Sequence, residues 1–181
     1  MIGVNCSDIA DWVIRGGLER FRADGETAYR PEPWFMPLYR YSHSFRAVLH
    51  LILGYDYTFN SPWNREQNIA KALADLKNVL TTMNTYCIQN QINFSVIIHP
   101  IPQEYYKTLD HNVDFIRIDE LVPMLNADGV KVASLRSSFE AKWKSPEAWK
   151  AVSWPIDGHF NGKGYDAMAE EIAGFSMKEI N

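Results

Sequence analysis

Phe94-Ser95-Val96-Ile97-Ile98, closed by His99-Pro100-Ile101-Pro102, is the stretch that decides the fold class. It is almost continuously apolar and lacks a clean in–out alternation. That is the pattern of a parallel strand covered on both faces, not of a hairpin strand with one wet face. A parallel strand needs a long crossover to reach its neighbour, and both flanks supply one. Upstream, Ile69, Leu73, Leu76, Leu80, Met83 and Cys87 recur at intervals of 4, 3, 4, 3 and 4. They form one stripe of a helix predicted over Asn64 to Asn90, with Lys71, Asp75, Lys77 and Asn78 off it. A coiled coil would need more turns of such a stripe, so a helix covering a sheet is the better reading. Downstream, a helical segment is expected within Asn112 to Leu125, although Phe115 to Ile118 also suits an extended run. Asp128-Gly129 then makes a turn, and Val130 to Leu135 reads as another strand.

The outer parts of the chain extend this order. Met1 to Asn5 reads as a short buried strand. Cys6-Ser7-Asp8 offers N-cap residues for a helix running to Ile14, interrupted at Gly16-Gly17. Residues 23 to 37, with Gly25, Pro31, Pro33 and Pro37, read as an irregular loop. Leu38 to Leu53 is expected to be one helix, with Leu38, Tyr41, Phe45, Val48, Leu49 and Ile52 on its apolar side and Gly54 as its stop. The part carrying Trp143, Trp149 and Trp154 reads as a surface helix plus a loop, and Tyr165 to Phe175 as a last helix. Strands alternating with helices predict one α/β domain over residues 1–181 with a parallel sheet. Such sheets place ligands beyond the carboxyl ends of their strands. Asn5-Cys6-Ser7-Asp8, His99-Pro100 and the loop holding Asp157 and His159 fall at such positions.

Composition narrows the function. Eighteen Lys and Arg against 22 Asp and Glu give a net charge of -4, which disfavours nucleic-acid or anionic-membrane partners. No apolar run is long enough to predict a membrane span. Met1 to Asn5 lacks the basic flank and apolar stretch of a signal peptide, and a signal peptide of a longer parent would lie upstream, so the compartment stays open. Cys6 and Cys87 have no metal-like spacing and read as two unreactive thiols. No His, Cys and carboxylate grouping has metal-ligand spacing, and no glycine-rich phosphate loop is present, so no metal or cofactor is expected.

Asp157-Gly158-His159-Phe160-Asn161-Gly162-Lys163-Gly164 carries the chemistry. A histidine accepts and returns a proton near neutrality. A carboxylate two residues away can hold its far nitrogen in one tautomer and stabilise the imidazolium. Asn161 and Gly164 would shape the loop into the following helix. Asp-x-His alone is also what an exposed turn with an incidental histidine looks like. His99 reads as structural at a strand end, and His43 and His50 as packing or surface residues.

The string Asp157-Gly158-His159-Phe160-Asn161-x-x-Gly164, ahead of an apolar-striped helix, resembles the final block of SGNH (GDSL-like) hydrolases. The resemblance implies a flavodoxin-like three-layer α/β/α fold and a serine esterase or acyl hydrolase needing no cofactor. His159 would be its general base and Asp157 the orienting acid. The commonest spacing in that family is Asp-x-x-His. The shorter Asp-x-His is similar to SGNH-type O-acetyltransferases, which leaves hydrolysis and acyl transfer both open. The substrate class implied is a small-molecule or glycan ester, a carbohydrate O-acyl group being one candidate.

Ile2 to Ile9 resembles the family's strand ending in Gly-x-Asn-Asp, which implies an oxyanion role for Ser7 or, with a local shift, Asn5. Met1 to Asn5 would then be the family's third strand. The first two strands and the Gly-Asp-Ser block would lie upstream of residue 1, and the domain would be N-terminally incomplete. Its exposed sheet edge would invite self-association. The alternative register makes Met1 to Asn5 the first strand and Ser7 the nucleophile. The rival from another class is a non-catalytic α/β module that binds a partner or glycan through that edge or through the Trp-rich C-terminal third.

Overall fold

Val96, Ile97 and Ile98 form β2, the middle strand of a three-stranded sheet, and none of the three is more than 1% exposed. Continuous burial is what their unalternating sequence requires. β1 (Ile2–Val4) pairs with β2 in parallel, Ile2 opposite Val96 and Val4 opposite Ile98. β3 (Val132–Ser134) pairs in parallel on the other side, Val96 opposite Val132 and Ile98 opposite Ser134. The chain is thus an α/β fold with an all-parallel sheet in the order β1-β2-β3, and β1 lies at the edge of the described strands. The computed structural model describes residues 1–5, 7–9, 12, 17, 22–24, 26, 33–55, 63–102, 105, 115–155 and 159–178. Cys6, most of the helix expected to Ile14, residues 25 and 27–32 of the expected loop, and Asp157 lie outside the described residues. Two compact units make up the chain, Met1–Ser7 with Lys77–Asn181, and Asp8–Leu76.

The sheet belongs to the first of these units, as do the helices that follow it. A 3-10 turn, Phe115–Glu120, leads into a short helix, Leu121–Ala127, so the ambiguous run from Phe115 is helical rather than extended. Gly129, at φ +72, closes the turn after it, a conformation cheap only for glycine. Asp128 beside it accepts from Lys77 Nζ at 2.8 Å and from Thr81 Oγ1 at 3.2 Å. The Lys77 hydrogen bond, with help from Thr81, holds the Asp128 carboxyl below its ordinary range. This ties the long helix to the turn.

That long helix, Arg65–Gln89, matches its expected bounds closely. Ile69, Ala72, Leu73, Leu76, Leu80 and Asn84 are buried along it, whereas Met83 is exposed. The stripe is therefore real but turns slightly, Asn84 taking the inward place expected for Met83. Cys87 carries a free thiol.

Two corrections come from packing. The single helix expected over Leu38 to Leu53 is three pieces: α1 (Met36–Tyr41), α2 (His43–Ala47) and a π-helical turn, Val48–Ile52. Ser42 breaks it, with extended backbone at φ -122 and ψ 112, and its Oγ accepts from Phe45 N at 3.1 Å to cap α2. Serine competes for backbone hydrogen bonds in this way, which favours caps over helix interiors. The break resets the helical phase, so Leu38 and Tyr41 do not continue the stripe of Phe45 and Leu49. Leu49 is buried, but Tyr41 and Ile52 are 89% and 74% exposed. Gly54, at φ +68, does end the run. His50 clamps it, its Nε2 lying 3.0 Å from Tyr39 Oη and its Nδ1 2.8 Å from the Tyr55 carbonyl.

The second correction concerns the Trp-rich third. It holds two helices, α3 (Arg136–Lys142) and α4 (Pro146–Ala151), and their aromatics form core rather than surface. Phe139, Trp143 and Trp149 are buried together with Ile97, Leu135, Val152, Phe160 and Ala167. Trp149 lies flat on Tyr105, with ring centroids 3.8 Å apart, and edge-on to Trp143 at 4.8 Å. Stacked and T-shaped pairs of this kind suit the ring quadrupole. Ser145 caps α4 by accepting from Ala148 N, and Pro146 occupies its first turn. The last helix, α5 (Gly162–Lys178), contains the expected Tyr165 to Phe175.

Candidate functional site

Asn5 stands just beyond the carboxyl end of β1. The Asn5 side chain accepts twice through Oδ1, from Ser7 N at 2.8 Å and from Ser7 Oγ at 2.6 Å. A backbone N–H can only donate, so this pair fixes which way the amide faces. The amide donor Nδ2 is therefore the group that Asn5 turns away from the Ser7 turn. The Ser7 hydroxyl proton is engaged by an amide oxygen, which does not activate it as a nucleophile.

His99 follows β2. Its N–H donates to the Val4 carbonyl at 3.0 Å, which locks the end of β2 to the end of β1. Its ring lies over Gly3: a Cβ there would stand 3.7 Å from His99 Cδ2 and Nε2. The same ring meets Phe160, with centroids 6.3 Å apart. His99, expected to be structural, is the side chain that links β1 to the loop of His159.

The His159 loop is held by a small ladder. Ser153 pairs with Phe160 in an antiparallel bridge. Trp154 N donates to the His159 carbonyl at 2.8 Å, and Asn161 N donates to the Val152 carbonyl at 2.9 Å. Ser153 and Phe160 are 4% and 3% exposed, whereas His159 faces outward. Asn161 then fixes the exit. Its Nδ2 donates to the carbonyls of Ala151 and Ser153, and its Oδ1 accepts from Gly164 N at 3.3 Å, capping α5. One side chain thus ties α4, the ladder and α5 together. Asp157 lies outside the described residues, so the two members of the expected pair are not both in view.

Gly164 is needed by close approach rather than by backbone conformation. A Cβ there would stand 2.5 Å from the Val152 carbonyl oxygen and 2.5 Å from Phe160 Cδ1. Helix propensity alone favours alanine over glycine by roughly 1 kcal/mol. The clash involves backbone and a packed ring, so overpacking wins. Gly164→Ala is expected to destabilise by roughly 1–3 kcal/mol, read by urea unfolding. Gly174, also in α5, has nothing within 4 Å of an added Cβ. Gly174→Ala should shift the midpoint the other way by about 0.5–1 kcal/mol.

A second polar cluster, not anticipated from the sequence, closes the end of β3. Ser134 Oγ donates to Asp119 Oδ1 at 2.5 Å, and Arg136 Nε donates to the other oxygen of Asp119. Arg136 also donates to Tyr105 Oη at 2.8 Å, and that hydroxyl donates to Glu140 at 2.7 Å. Asp119 and Arg136 are 17 residues apart, beyond the range of any local motif. Among the described residues, no three His, Cys, Asp or Glu side chains stand close enough together to hold a metal ion. No described helix is long and apolar enough to cross a membrane. Comparison with family models, with curated proteins and with solved structures finds no match to this chain.

Proposed function

We propose that this chain carries the acid–base part of an SGNH-type serine esterase or acyl hydrolase, in a flavodoxin-like three-layer setting. The observation that carries the reading is the His159 loop. An outward-facing imidazole sits on a backbone pinned by the ladder and by Asn161, beside the carboxyl end of a parallel sheet. Pinning of this kind is what a general base requires, because proton transfer depends on its position to a fraction of an ångström.

In this mechanism His159 takes the proton of a serine hydroxyl as its oxygen attacks the ester carbonyl. Asp157 holds the second ring nitrogen and stabilises the imidazolium. Asn5 Nδ2, with backbone N–H groups, stabilises the oxyanion. Collapse of the tetrahedral species breaks the bond to the alcohol, which leaves with the proton from His159. Water, deprotonated by His159, then attacks the acyl-serine and regenerates the hydroxyl. An alcohol in place of that water gives acyl transfer, and the Asp-x-His spacing leaves both outcomes open. The serine comes from a Gly-Asp-Ser segment encoded upstream, with Ser7 as the alternative.

A fluorophosphonate that labels activated serines tests this on the product of the full reading frame. A single adduct upstream of residue 1, formed only when His159 is intact, is the expected result. An adduct on Ser7 would move the nucleophile there. No adduct and no turnover of short-chain esters would overturn the enzyme reading and leave the α/β binding module.

A further inference from the structure

The ladder that holds His159 also determines what stands next to it. In an antiparallel bridge of the Ser153–Phe160 kind, the residues one step out, Trp154 and His159, face each other across the pair. The hydrogen bond from Trp154 N to the His159 carbonyl fits that register. Side chains alternate along such a ladder, so a buried Ser153 and Phe160 put Trp154 and His159 on the opposite, outer side. Directly opposed residues have Cβ atoms only about 5 Å apart. Trp154 is 56% exposed, whereas Trp143 and Trp149 are 8% and 2% exposed and belong to the core. The Trp-rich third therefore presents one indole to solvent, and it stands beside the candidate base.

An indole on a residue more than half exposed selects among ester substrates. A long acyl chain laid on it would stay wet on its other side and gain little from burial, since the gain scales with apolar area removed from water. A pyranose ring needs only one face covered. Its C–H face lies on the indole while its hydroxyls remain hydrated. We infer that Trp154 is a sugar-stacking residue and that the alcohol side of the ester is a glycan. The inference deepens the esterase reading and rests on it for the role of His159, but sugar binding itself needs no turnover.

The test is binding of unacylated sugars to the isotopically labelled protein, read from its tryptophan indole N–H signals by NMR. Xylotetraose and chitotetraose are the probes. The expected result is a saturable shift of one indole signal, assigned by its loss in Trp154→Phe. Trp154→Ala should weaken binding about tenfold or more, and Trp154→Phe should retain part of it. Sugar binding is read without turnover, so binding retained in a protein that shows no esterase activity separates failure of the esterase reading from failure of this inference. No shift with either sugar, a shift confined to another indole, or undiminished binding by Trp154→Ala would overturn it.

Discussion

Replacing His159 by alanine should lower kcat for ester cleavage by about 10²–10⁴, the usual contribution of a positioned acid–base group. The fold should be indifferent. His159 faces outward, and the bonds that hold its loop include those of its backbone carbonyl and of the Asn161 side chain. A surface substitution of this kind costs within about 0.5 kcal/mol. The diagnostic result is therefore a split: turnover lost, thermal midpoint unchanged. Asp157→Asn should follow with a smaller loss and a changed pH profile, because a neutral amide no longer stabilises the imidazolium. Turnover of His159→Ala within about threefold of the parent would remove the histidine from the mechanism.

Trp149→Ala should do the reverse and strike at stability. Its side chain is 2% exposed, lies flat on Tyr105 and meets Trp143 and Phe139 edge-on. Deleting a buried indole costs roughly 3–5 kcal/mol, the lost transfer energy plus the cavity left behind. At about 2–4 °C per kcal/mol for a chain of this size, the thermal midpoint should fall by roughly 10 °C or more. The loss should reach the candidate site as well. Trp149 is in α4, whose end supplies the Ala151 and Val152 carbonyls that position Asn161 and so the ladder of His159. Thermal melts with near-ultraviolet circular dichroism would show both effects. A cost under about 1 kcal/mol would mean that the aromatic cluster is not a core.

The exposed face of α1 and the π-helical turn shows where helical spacing misleads. Leu38, Tyr41, Val48 and Ile52 have that spacing and look like one buried stripe. Ser42 interrupts the backbone between them, and all four are exposed. The cap that does this, Ser42 to Phe45 N, is local, so serine at that position is the signal that marks the break. Trp143 and Trp149 differ from expectation in the other direction. Their neighbours in sequence are lysines, Lys142, Lys144 and Lys150, which suggest surface. Short helices flanked by charge still bury one face, and the two indoles lie on it.

Local order suffices for the class of the sheet, the long helix, the turns at Gly54 and Gly129, and the loop-to-helix junction at Asn161 and Gly164, and all of these are legible in the amino-acid sequence. Their signals lie within a few residues, as side-chain periodicity, a cap, or a positive φ that glycine alone adopts cheaply, although what holds position 164 to glycine is the approach of the Val152 carbonyl. Other outcomes belong to the folded chain alone: which tryptophans are core, that His99 links β1 to Phe160, that Arg136 answers Asp119, and that Trp154 stands opposite His159. They depend on groups that come together only after the strands have paired and the helices have packed. Periodicity records which face of an element is buried, but the partner that covers it is set by distant parts of the chain.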